Sequence, residues 1–218
     1  MERSQRRAQL LGVARDIIAA DGADALSMNA LAECADVTKP VVYSHFSNSQ
    51  QVIVALLDDH YENMREYVRE ATESATTLDV YITQLLESAF DFERTNRVPV
   101  QKISNGYSSS PEVNEAFARY RSVFQKYWQD LLEQQGVPAS TAEIAAFGFS
   151  SMVSETTTTY APRPRSQKLA RETLKKVVLA AIATLSTRPS IERPDVHVTT
   201  YAAPDVRPSK PRARRSGN

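Results

Sequence analysis

Between residues 37 and 46 the chain reads VTKPVVYSHF, placing the side chains of Thr38, Lys39, Tyr43, Ser44 and His45 within about ten residues. Hydroxyl, ammonium, phenol and imidazole groups are all hydrogen-bond donors, and the stretch carries no carboxylate. Such a set suits contact with an anionic, acceptor-rich surface better than it suits bond making. Pro40 and Val41 add apolar surface beside the lysine. Groups for covalent or metal chemistry are sparse. Cys34 and His45 could be imagined as a nucleophile pair, but Cys34 follows Leu31 and precedes Ala35, the setting of a packing thiol. His45, His60 and His197 are far apart and form no His-x-x-x-His or Glu-x-x-His cluster, and no glycine-rich phosphate loop occurs. The expectation is therefore no catalytic residue, no metal and no cofactor.

The composition fits a folded body of one or two domains: 218 residues, 42% hydrophobic and 24% charged, with a formal net charge of zero. Bulk charge selects no partner, so affinity for phosphate must come from local placement. One cysteine excludes an intramolecular disulfide framework and fits a reducing compartment. The apolar run after the basic N-terminus is broken by Arg15 and Asp16, unlike a signal-peptide core. No run approaches the roughly 18 apolar residues of a membrane span. A cytoplasmic protein without a membrane partner is expected.

Only six glycines occur in the chain and alternating β-branched runs are lacking, so an all-α fold is expected. Leu10, Ala14, Ile17 and Ile18 share a face of a first helix that Gly22 can close. Ser27 can cap a second, two-turn helix and Thr38 a third, with Pro40 in its first turn. SNSQ at 47–50 has the form of a capping box before a long helix over about 50–71. Further helices are expected over about 78–94, from Pro111 to near Gly136, over about 142–160 behind a Ser140/Glu143 capping box, and over about 167–185. A short helix is assigned within 100–110. From residue 188 the chain turns to Pro, Arg, Ser and Thr and reads as a disordered tail. Its basic run at 210–215 is either a solvated end or a nonspecific DNA-tethering arm.

Three short helices in the first 46 residues, the last two joined by a tight ADV turn, have the dimensions of a helix-turn-helix, whose second helix enters the major groove of DNA. Lys39 would bring charge to the groove, Pro40 and Val41 could meet a thymine methyl, and Tyr43 and His45 could donate to phosphates. The stretch SMNALAECADVTKPVVYSHFSNSQQVIVALL resembles the TetR family of transcriptional regulators, with Ser27, Leu31, Ala32, Val37, Tyr43, His45 and Phe46 at the family's spacing. The resemblance implies phosphate contacts from Thr38, Tyr43 and His45 and base contacts from Lys39 and Pro40. It also implies that Ser27 anchors the preceding helix to the DNA backbone, with Val41 and Ser44 in the same interface. Three positions depart from the pattern: Asp36 replaces the turn glycine, Ser49 a lysine at the start of the long helix, and Ser44 a bulkier residue. Arg3, Arg6 and Arg7 could form an arm ahead of the first helix.

The resulting division is 1–50 for DNA binding, 51–187 for ligand binding and dimerisation, and 188–218 for the tail. Ala145, Ala146, Gly148, Ser150 and Ser151 are small enough for close helix approach, and Leu174, Val177, Val178, Ala181 and Leu185 give the last helix an apolar face. These helices are expected to pair in a homodimer, with an intrachain core as the alternative. Candidate ligand-site residues are Phe90, Tyr120, Phe124, Trp128 and Met152, with Glu87, Asp91, Glu155 and Thr156 as polar groups. A bulky or aromatic effector is expected. The sequence thus points to a ligand-responsive repressor of a palindromic operator, or alternatively to a helical interaction module with DNA binding weakened or lost.

Overall fold

The computed structural model describes residues 2–95, 103, 106, 107, 109–187, 194 and 195, and these contain helices and no strands. Helix α1, Arg3–Asp21, buries Leu10, Leu11, Ala14, Ile17 and Ile18 along one stripe. It stops at Gly22, whose φ of 89° suits glycine and whose N–H bonds the Ile18 carbonyl at 3.0 Å. After a 3-10 turn at Ala23–Ala25, α2 spans Met28–Cys34 and α3 spans Lys39–Tyr43. The Ser27 hydroxyl accepts from the Ala30 N–H at 3.1 Å, a cap that contributes about 1 kcal/mol. Thr38 occupies the N-cap position of α3, but its side chain makes no cap hydrogen bond. A five-residue helix cannot persist alone; Val42 and Phe46, almost wholly buried, pin α3 against its neighbours.

Helix α4, Ser49–Thr72, starts one residue off the expected capping box. Asn48 accepts from the Gln51 N–H at 2.8 Å while the Gln51 side chain reaches back to the Ser47 N–H at 3.0 Å. Helix α5 spans Leu78–Thr95, α6 Pro111–Gln134, α7 Ala139–Tyr160 and α8 Pro164–Leu185. Thr77 and Ser110 cap α5 and α6 through the N–H groups of Val80 and Val113. Gly136, at φ 82°, forms the turn after α6. The Ser140/Glu143 box does not form, because α7 begins earlier, with Pro138 at its N-cap and no side-chain cap. Helix α8 likewise starts three residues before the expected Gln167, since Pro164 fits a first turn, where no N–H is needed. The helix expected within 100–110 lies partly, and the basic run at 210–215 wholly, outside the described residues.

The buried side chains form two clusters. One joins α1, α2, α3, the first half of α4 and the start of α6. The other joins the second half of α4 with α5, the rest of α6, α7 and α8. Tyr61 packs against both, at the middle of α4. Cys34 is exposed, contrary to its expected packing role. The buried face of α2 is Met28, Leu31, Ala32 and Ala35, and Cys34 falls about 110° round the helix from its centre. The end of α8 is stitched to the turn after α6: the Thr187 N–H and hydroxyl both bond the Gly136 carbonyl, at 3.0 and 2.9 Å, and the Ser186 hydroxyl bonds that of Gln135.

Candidate nucleic-acid interface and ligand cavity

Burying Val42 and Phe46 turns the other side of α3 outward. Thr38, Lys39, Pro40, Tyr43 and Ser44 are exposed, Tyr43 by 53%, while Val41 and His45 are half-buried. The predicted contact residues of α3 therefore share one accessible surface, and Ser27 is exposed at the start of α2. Lys39 forms no ion pair among the described residues, so its charge is not neutralised from within. The Ser44 hydroxyl is engaged with the Val41 carbonyl at 2.7 Å. Asp36 has φ 51°, so the turn keeps its left-handed residue without glycine and the departure there costs strain rather than geometry.

Arg3, Arg6 and Arg7 are not a free arm ahead of α1 but its first two turns. The Arg3 guanidinium donates to the Ser44 carbonyl at 3.3 Å and that of Arg7 lies over the Phe46 ring at 4.5 Å. Basic groups are thereby collected beside the C-terminal end of α3. Burial, followed by the charges of Arg3, Arg7 and Arg6, holds the His45 imidazole below its ordinary pKa. A neutral His45 still offers one N–H to a phosphate.

In the helical body, α4, α5, α6 and α7 enclose a narrow cavity of about 90 Å³ lined by His60, Tyr61, Met64, Val68, Leu85, Ala89, Glu93, Phe124, Tyr127, Trp128, Ser150, Val153, Ser154, Thr157 and Thr158. Glu93 and His60 have side chains only 8% and 7% exposed and meet at 3.3 Å. The Thr157 hydroxyl is buried with no hydrogen-bond partner among the described residues, which costs about 1–3 kcal/mol if nothing else satisfies it. Tyr127 is fixed by a 2.7 Å hydrogen bond to Tyr81. Burial, and then the Glu93 charge, raises the Tyr61 phenol pKa well above its ordinary value. A wider cleft of about 740 Å³, containing Asn114, Phe117, Arg121, Phe147 and Glu155, adjoins this cavity and shares Tyr61, Phe124, Ser150, Ser154 and Thr158 with it.

Of the ligand-site residues read from sequence, Phe124 and Trp128 line the cavity and Glu155 lines the cleft. Phe90 is core, and Met152 is partly buried against the same core. Glu87 pairs across to Arg171 at 3.6 Å, and Asp91 with Arg94 one turn away. Thr156 lies among the lining residues of neither space. Tyr120 stacks on Tyr61 with centroids 3.8 Å apart, and its hydroxyl donates to Asp58, which also faces Arg119 at 3.7 Å. The sequence reading missed His60, Glu93 and Thr157. The aromatic side chains Tyr61, Phe124, Tyr127 and Trp128 themselves line the cavity.

The small residues of α7 do not all face outward: Ala146 and Ser150 are buried, as are Leu174 and Val178 of α8. These belong to the core of the single chain. The large apolar side chains left exposed are instead Ile144 (78%), Phe147 (62%), Leu169 and Val177.

An exposed, donor-rich short helix held by two others, ahead of a helical body with its own core, has the arrangement of a helix-turn-helix unit. Residues 10–56 match the model of the bacterial regulatory proteins of the tetR family. The chain is 32% identical over 114 residues to the HTH-type transcriptional activator FasR of Mycolicibacterium smegmatis, a match covering 52% of each chain. It is 28% identical over 90 residues to the HTH-type transcriptional repressor KstR2 of Rhodococcus jostii, covering 39% of this chain and 44% of that one. The matches thus span about half the length of these relatives. The fold is shared with a TetR-family transcriptional regulator from Streptomyces coelicolor at a TM-score of 0.66 and 24% identity, over 84% of this chain and 97% of that one. No described helix is long and apolar enough to cross a membrane.

Proposed function

We propose that this chain is a transcriptional regulator that binds a palindromic operator as a homodimer and changes its operator affinity when a small molecule enters the body. The observation that carries the reading is the outward face of α3, where Lys39, Pro40 and Tyr43 are exposed together while Val42 and Phe46 anchor the helix from behind. Lys39 and Pro40 are assigned to base edges and Thr38, Tyr43 and His45 to phosphates, with the arginines at the start of α1 extending the charged surface. The homodimer reading is supported by Ile144, Phe147, Leu169 and Val177, an exposed apolar set of the kind that marks a protein contact. Two-fold symmetry would then match two half-sites.

Helix α4 supplies the coupling. It begins three residues after Phe46 and, about three to four turns on, lines the cavity with His60, Tyr61 and Met64. Tyr61, Tyr120, Asp58 and Arg119 form a contiguous set running back from the cavity wall towards the DNA-binding unit. A ligand that shifts Tyr61 would reorient the start of α4 and with it α3, altering the spacing of the two recognition helices. Both an activator and a repressor are among the sequence relatives, as expected if the sign of regulation depends on where the operator lies.

Selection from random duplexes at two salt concentrations tests the reading. Enrichment of one palindrome is expected, with Lys39→Ala lowering specific affinity by about 1–3 kcal/mol and flattening the salt slope. Binding explained wholly by salt, with no enriched sequence, would overturn it in favour of an interaction module.

A further inference from the structure

We propose that the cavity takes a compact organic cation, a protonated amine on a small apolar or aromatic body, with its charge on Glu93. The proposal rests on the effector reading above and names the class of effector. Glu93 is a carboxylate almost entirely withdrawn from solvent, yet no lysine or arginine is among the residues that line the cavity with it. Its one described polar contact is to His60, which meets Oε1. A ligand carrying a carboxylate or phosphate would be buried beside a like charge, with only the His60 imidazole, already engaged by Glu93, to meet it. A hydrocarbon would fill the space but leave the Thr157 hydroxyl without a partner and the Glu93 carboxylate with His60 alone. An ammonium brings N–H donors to the carboxylate, and the rings of Tyr61, Phe124, Tyr127 and Trp128 supply the apolar and π-rich surroundings in which a desolvated cation is held.

Two further observations agree. Burial, and then the Glu93 charge, raise the Tyr61 pKa against an opposing effect of Arg121. The cation Arg121 lines only the outer cleft, where any anionic group would be drawn instead. The space, about 90 Å³, limits the buried part of the ligand to something near a single ring.

The test is calorimetric titration of the full chain at neutral pH with three probes of similar size: benzylammonium, benzyl alcohol and phenylacetate. Benzylammonium should bind at least tenfold more tightly than benzyl alcohol, and phenylacetate should not compete. In Glu93→Gln the cation should lose at least tenfold while benzyl alcohol changes less than twofold. Tighter binding of benzyl alcohol or phenylacetate, or a cation preference surviving in Glu93→Gln, overturns the inference and leaves the effector reading standing. Absence of binding by all three overturns both. The ranking on the unaltered chain decides the matter even if Glu93→Gln does not fold.

Discussion

Replacing Tyr120 by phenylalanine removes one oxygen from the contact between α4 and α6 and nothing else. The phenol donates to the Asp58 carboxylate, and a hydrogen bond to a charged group contributes about 1.5–3 kcal/mol. The lower end applies, because Asp58 is half exposed and keeps Arg119 at 3.7 Å, so no buried charge is left alone. The ring stack on Tyr61 survives. A loss of about 1.5 kcal/mol corresponds to a fall in Tm of about 3–6 °C for a chain of this size. Burial, then the hydrogen bond and charge of Asp58, raises the pKa of Tyr120 in the folded chain. Its contribution is therefore full below the unfolded value of ~10 and is lost as pH rises further. Thermal melts of Tyr120→Phe, Asp58→Asn and the double variant at pH 7 measure the pair directly, with a coupling of about 1 kcal/mol or more expected. The same variants should bind operator normally but respond less to effector. A Tm within about 1 °C of the parent, or strictly additive losses, would refute the role given to this contact.

Asp36→Gly should raise stability by about 0.5 kcal/mol. The left-handed conformation costs an L-residue ~1–2 kcal/mol, while glycine gives back ~0.5–1 in unfolded-state entropy; Asp36→Val should lower the Tm. Phe147→Asp places a charge in the proposed dimer face and should halve the mass seen by sedimentation while the helical circular dichroism persists. His45 is held below its ordinary pKa, so the unfolded chain binds the extra proton as pH falls below ~6.5. Its small contribution is complete above that pH and is lost on acidification through the folded value. The Tm of His45→Gln should therefore decline less between pH 7.5 and 5 than that of the parent.

The N-terminal unit was legible in the sequence because its requirements are local. A cap at Ser27, a proline in the first turn of α3, a left-handed residue at 36 and an aromatic anchor at 46 are set by neighbours along the chain. The cavity was not, because its inward groups depend on helix phase relative to three other helices. Leu85, Ala89 and Glu93 succeed one another at four-residue steps along one stripe of α5. Glu87 and Asp91, the carboxylates chosen from sequence, are each two residues off that stripe and so about 200° round the helix. The small Ala89 beside a large apolar residue was the available sign of inward-facing space. The same phase ambiguity put Leu174 and Val178 on the proposed dimer face when they belong to the core.

The bonds from Ser186 and Thr187 to the turn after α6 bear on how two subunits would behave together. They fasten the far end of α8 to the helix that carries Phe124, Tyr127 and Trp128, so a shift of α6 around a guest molecule pulls on α8 as well. In a dimer joined through α7 and α8, filling one cavity then perturbs the shared bundle before the second is occupied. Effector binding should accordingly be cooperative between protomers, with a Hill coefficient above one that returns to one when Ser186 and Thr187 are both replaced by alanine and the stitch is weakened.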